Sequence, residues 1–207
     1  LLINALSFGL LMAYLSAAPF VLRNVLGMGT VAYTAVFGLC GATVTVTIAV
    51  AASLVRRFSQ VRQVRVGLIA VLVVDTVFAA VCLMWLREPV TGPERMPLLV
   101  AVVALFLAHV ACLGLAMGNA PALALDRTGR WAGTGSALLG FLQFVVGGLV
   151  SPLVGLTGED SGVAFGVVIV AVGVIANILA VFGLHKRGEK QRLAAQASER
   201  RSQRLGQ

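Results

Sequence analysis

Six apolar runs, each longer than 20 residues, leave this chain very little choice of fold. They lie at about 1–22, 31–55, 66–86, 97–125, 132–156 and 162–184, and about 20 apolar residues in a helix suffice to cross the hydrocarbon core. Lipid offers the backbone no hydrogen-bond partner, so each run must satisfy its own N–H and C=O groups. Strands of a membrane barrel would alternate apolar and polar residues over roughly 10-residue segments, and these runs do not. The expectation is an all-α membrane protein with six transmembrane helices. Composition agrees: charged residues make up 12% of the chain, about half of what a soluble domain carries.

The loops then set direction. The stretch "RRFSQVRQVR" after the second run carries Arg56, Arg57, Arg62 and Arg65, and the turn after the fourth carries Arg127 and Arg130. The tail adds Lys186, Arg187, Lys190, Arg192, Arg200, Arg201 and Arg204. The opposite loops hold only Arg23, Arg87 and Arg95, together with Glu88, Glu94, Glu159 and Asp160. Basic residues gather on the cytoplasmic side of membrane proteins, which puts both termini in the cytoplasm. The expected organisation is a six-helix bundle over 1–185 and a basic cytoplasmic tail over 186–207. The net charge of +8 thus points to membrane lipids as partners. No aromatic residues interleave the tail's charges as a nucleic-acid surface would require, so no nucleic-acid partner is expected.

Chemistry-bearing motifs are sparse. Cys40, Cys82 and Cys112 fall in three different apolar runs, so they read as small packing residues rather than a disulfide or metal set. No P-loop, dinucleotide fingerprint or nucleophile–base set occurs. The chain is therefore not expected to be an enzyme, and no catalytic, metal or cofactor site is assigned.

A shift of 102 residues brings the chain onto itself. It aligns Ala18-Pro19 with Ala120-Pro121, Asn24 with Asp126, Gly27 with Gly129, Thr34 with Ser136, Ala35 with Ala137, Gly38 with Gly140 and Asp75 with Asn177. The offset covers three spans, an odd number, so the two copies run in opposite directions through the membrane: two inverted three-helix repeats.

Two segments carry a family resemblance. They are "SFGLLMAYLSAAPFVLRNVLGMGTVAYTAVFG" (Ser7–Gly38) and "GNAPALALDRTGRWAGTGSALLGFLQFVVGGLVSPLVG" (Gly118–Gly155), the second more specific through "AGTGSALLGFLQ" and "GGLVSPLVG". The chain resembles the C-terminal half of a major facilitator superfamily multidrug/proton antiporter, and most closely the bicyclomycin-resistance (Bcr/CflA) group. The resemblance implies helices seven to twelve of a twelve-helix transporter in the bacterial cytoplasmic (inner) membrane. It implies alternating access driven by the proton gradient, with no cofactor, and a small hydrophobic drug-like substrate. It also implies a missing N-terminal six-helix half, which in such antiporters commonly holds the proton-carrying acid. Leu1 starts inside an apolar run with no basic leader before it, and the chain is accordingly expected to be a fragment. A truncated, non-transporting membrane scaffold and a half-size transporter that dimerises are the alternatives. The pentad Asp126-Arg127-Thr128-Gly129-Arg130 imitates the superfamily's signature loop, but it follows the fourth span and reads as the turn between helices ten and eleven.

Site candidates follow from helical spacing. Asn4, Ser7, Leu11, Tyr14 and Ala18 share one face of the first span, and His109, Cys112, Ala116 and Asn119 share one face of the fourth. The resemblance makes Asn4, Ser7, Tyr14, His109, Asn119 and Gln143 candidate cavity residues; the alternative is that they hydrogen-bond neighbouring helices. Two groups are candidates for proton coupling. His109 is the membrane-embedded imidazole, a group that exchanges protons near neutral pH; the alternative is a satisfied interhelical histidine. Asp75 sits mid-span, where a lone carboxylate must be paired, protonated or facing water; pairing with a neighbour's hydroxyl or with Asn177 is its alternative. Gly133, Gly147, Ser151 and Gly155 put small residues at close-packing spacing on the fifth span, and Pro152 is expected to bend it.

Overall fold

Pro19 and Ser59 show how single residues set the helix limits. The computed structural model describes residues 1–125, 131–156, 158 and 160–182. Six helices of membrane-spanning length are present, and no strand occurs among the described residues. Helix α1 covers Leu2–Pro19 and continues as a π-helical turn, Phe20–Val25. Then follow α2 (Thr30–Leu54), α3 (Gln60–Trp85), α4 (Arg95–Leu125), α5 (Ala132–Leu153) and α6 (Val163–Phe182). Pro19 offers no N–H to the preceding turn, and the backbone register after it loosens to a wider spacing, with Leu26 N donating to Val21 O at 3.1 Å. Gly27, at φ 61°, then closes the segment in the left-handed region. Ser59 caps α3, its hydroxyl accepting from Arg62 N at 3.3 Å. The helix therefore begins at Gln60, several residues ahead of its apolar run. Hydropathy marks where a segment enters lipid, whereas the cap marks where helical bonding starts.

Successive helices run antiparallel, so the two sets of three are inverted. The packing shows the repeat directly: α1 packs against α5, α4 packs against α2, and α1 and α4 meet at the centre. Moving every helix three places along the chain exchanges the first contact for the second. Each contact relies on a small residue. A Cβ at Gly147 on α5 would fall 2.7 Å from Met12 Cγ and 3.3 Å from Phe8 Cε1, and one at Gly114 on α4 would fall 2.8 Å from Thr47 Cβ on α2. Bulkier residues there would push the helices apart.

Helix α3 lies on α4, and α6 lies on α3, where the Asn177 amide donates to Leu68 O at 2.8 Å and to Gly173 O at 2.9 Å. Phe78, Phe106 and Phe165, from α3, α4 and α6, form one buried aromatic cluster with ring centroids 4.8–5.8 Å apart. At that end the turns tie together: Val90 N donates to Val25 O, Gly162 N donates to Leu86 O, and Arg95 donates from Nε to Leu26 O (2.7 Å) and from Nη2 to Gly27 O. The guanidinium thereby satisfies carbonyls that the end of a helix leaves open. Burial is uneven. Within each helix's apolar window, 56% of α1 is buried but only 11% of α2 and 17% of α5. Helix α1 is central, and α2 and α5 turn broad apolar faces outward.

Candidate functional site

Near the middle of the bundle, His109 Nδ1 on α4 lies 2.5 Å from Asp75 Oδ1 on α3, and both side chains are 0% exposed. It is the one ion pair among the described residues. Local packing lets so short a carboxylate reach the ring. Two turns before Asp75, a Cβ at Gly67 would fall 2.9 Å from Ala116 N, which lies two turns after His109. The absence of a side chain at Gly67 thus brings α3 against the α4 backbone. On its other side Asp75 faces α6, where Oδ2 lies 3.7 Å from the position a Cβ would take at Gly173. The Tyr14 ring of α1 stands 6.2 Å from the imidazole, centroid to centroid.

Asp75 Oδ2 and His109 Nε2 are buried without a hydrogen-bond partner among the described residues. With Nδ1–H donating to Oδ1, Nε2 is the ring atom left without a partner. The pair carries a net charge of −1 when the imidazole is neutral and zero when it is protonated. An isolated charge in a dry interior costs several kcal/mol, so each group depends on the other. Asp75 therefore pairs neither with a hydroxyl nor with Asn177, the two partners considered from sequence. The Asn177 amide is already occupied by backbone carbonyls.

The other candidates separate into distinct surroundings. Asn4, Ser7, Tyr14 and Asn119 are buried, covered by this chain's own helices. The Ser7 hydroxyl donates to Ile3 O at 2.9 Å within its own helix and makes no bond to His109, its counterpart in the repeat. Both amide atoms of Asn4 are buried without a partner among the described residues. The Asn119 amide donates to Gln63 Oε1 at 3.0 Å, and Gln63 donates to Phe58 O at 3.2 Å. Gln143 is half-buried on α5.

Of the small-residue series, Gly147 sits against α1, and the Ser151 hydroxyl hydrogen-bonds that of Ser16 on α1. Among the described residues Gly133 has nothing within 4 Å of its would-be Cβ, and Gly155 meets only Pro152 O at 3.7 Å. Among the described residues their spacing packs no helix, because α5 turns Gly133 away from its neighbours and ends at Leu153, before Gly155. Pro152 stands one residue from that end. The pentad 126–130 and the tail 186–207 lie outside the described residues.

Sequence reasoning missed Gln63 and Gly67. Both lie near the start of α3, where the apolar run had not begun or had only just begun. The Asp75–His109 pair had a legible hint: two mid-span ionisable groups on consecutive helices are each other's most economical partners.

The chain is similar to a protein of known sequence. The chain is 30% identical over 174 residues to the protein named "Uncharacterized MFS-type transporter YdgK" of Bacillus subtilis (strain 168), an alignment covering 84% of this chain and 40% of the relative. The chain thus spans well under two thirds of that protein's length. No family model matches the chain. No solved structure matches it either. Six membrane-length helices together with this relative make the chain a multi-pass membrane protein, and its fold agrees with half of a major facilitator arrangement.

Proposed function

We propose that this chain forms the C-terminal half of a proton-coupled multidrug efflux transporter of the bicyclomycin-resistance type, working by alternating access in the bacterial inner membrane with both termini cytoplasmic. The observation that carries the proposal is the fully buried Asp75–His109 pair at the centre of the bundle. Similarity to an MFS-type transporter supports transport as the activity class, and the basic loops support the orientation.

In this reading the pair takes up a proton when the bundle opens to the periplasm and releases it when the bundle opens to the cytoplasm. Between those states the neutral form is the one that tolerates the dry interior. Binding of a small hydrophobic substrate completes the exchange, with the proton gradient as the energy source and a second six-helix half supplying the opposite wall. Gln143, the candidate cavity residue that is not fully buried, is the proposed substrate contact from this half.

The test is drug-driven proton release by the intact transporter in proteoliposomes. Asp75→Asn and His109→Gln are each expected to abolish release while downhill drug exchange persists. Unchanged proton release in both variants would remove the pair from the mechanism.

A further inference from the structure

A second feature lies away from the proton pair, where the end of α2, the turn after it and the first two turns of α3 meet α4. Leu54, Phe58, Arg62, Gln63, Val66 and Leu115 line a cleft there of about 240 Å³. Phe58 and Val66 stand exposed at its mouth, so it opens sideways rather than into the bundle. The polar group in its wall, Gln63, is already engaged with Phe58 O and with Asn119. The remaining lining is apolar apart from Arg62, so an apolar occupant would orphan no polar atom.

Arg62 sits at the rim with its guanidinium 5.1 Å from the centroid of the Phe58 ring. It forms no ion pair among the described residues, and the surrounding stretch 54–66 contains Arg56, Arg57, Arg62 and Arg65 but no Asp or Glu. The cleft is thus an apolar slot with a cation at one end, where α2 ends and α3 begins against the side of α4, at the basic end of the bundle that would face headgroups. Its volume falls below the roughly 300–1,000 Å³ of pockets that enclose a drug-sized molecule. A phospholipid has the matching outline: an acyl chain for the slot and a phosphodiester for the guanidinium, whose planar fork suits phosphate oxygens.

We infer that this cleft is a binding site for an anionic phospholipid, with one acyl chain lying against Leu54, Phe58, Val66 and Leu115 and the phosphate held by Arg62. The site is independent of proton coupling and of what the protein transports. A zwitterionic headgroup brings its own cation into the same basic neighbourhood and is disfavoured there.

The experiment is titration of the intact protein in detergent with phosphatidylglycerol, with phosphatidylcholine of identical acyl chains, or with glycerol phosphate, bound ligand being counted by native mass spectrometry. Phosphatidylglycerol is expected to bind most tightly. Arg62→Ala should weaken it about fivefold, the effect of one basic residue near an anionic headgroup. Val66→Trp, which fills the slot while leaving the charge, should weaken it too. Arg62→Lys should retain part of the affinity, and Arg23→Ala at the opposite end should retain all of it. Wild-type affinity in both Arg62→Ala and Val66→Trp would overturn the proposal. So would equal binding of the two lipids, or glycerol phosphate binding as tightly as the lipid, which would mark a free-anion site instead.

Discussion

Asp75 and His109 come from helices three and four, 34 residues apart in sequence, and meet at 2.5 Å with no solvent exposure on either side chain. Each keeps one outer atom, Oδ2 and Nε2, without a partner among the described residues. Half of the pair without the other is a poor arrangement, because a lone buried charge costs more than the pair.

That asymmetry makes a stability prediction. Replacing His109 by Leu should destabilise the bundle by about 3–5 kcal/mol, since it leaves the carboxylate buried alone. Replacing both Asp75 and His109 by Leu should recover most of the loss. Denaturant unfolding in detergent micelles checks both, and a double variant no more stable than the single one would contradict the pairing.

Gly147 offers a packing test with a built-in control. A leucine there meets Met12 and Phe8, whose atoms already crowd the Cβ position. Overpacking of this kind typically costs about 1–3 kcal/mol, so Gly147→Leu should lower the melting temperature clearly. Gly133→Leu should leave it nearly unchanged, because no described residue lies within 4 Å of that position.

Arg95 satisfies the carbonyls of Leu26 and Gly27 across the bundle end. Arg95→Met removes the donors while keeping much of the side-chain bulk. The expected result is faster amide exchange at Val90 and Gly162, the two cross-links beside it. Unaltered protection at both would show that the turns hold without the guanidinium.

The two classes of cavity candidate should differ in access to water. With Cys40, Cys82 and Cys112 replaced by Ala, a cysteine at position 143 should react with a membrane-impermeant thiol reagent in the intact transporter. A cysteine at position 4 should react far more slowly, because α1 is buried there by this chain alone. Equal labelling at the two positions would mean that α1 opens to the cavity in ways its packing does not suggest.

Much of the architecture is legible in the sequence. The number of spans follows from length and hydropathy, since a helix in lipid must satisfy its backbone within itself and cover a fixed thickness. The inverted repeat was readable from residues such as Ala18-Pro19 and Ala120-Pro121 because three spans reverse direction. Helix starts were less legible: Ser59 sets the beginning of α3 through one side-chain hydrogen bond, a signal that an apolar count does not register. Small-residue spacing was ambiguous for a related reason. Gly133 and Gly147 look alike in sequence, yet only one faces a neighbouring helix.

Sequence alone therefore determined the six helices and their alternating direction, because those depend on forces acting along contiguous segments. Which polar residues meet was decided only by tertiary structure. The rotation and offset of one helix against another depend on close approaches such as Gly67 on Ala116 and Gly114 on Thr47. Those approaches turn Asp75 toward His109 and leave Asn177 to the backbone. No property of any single segment contains that information.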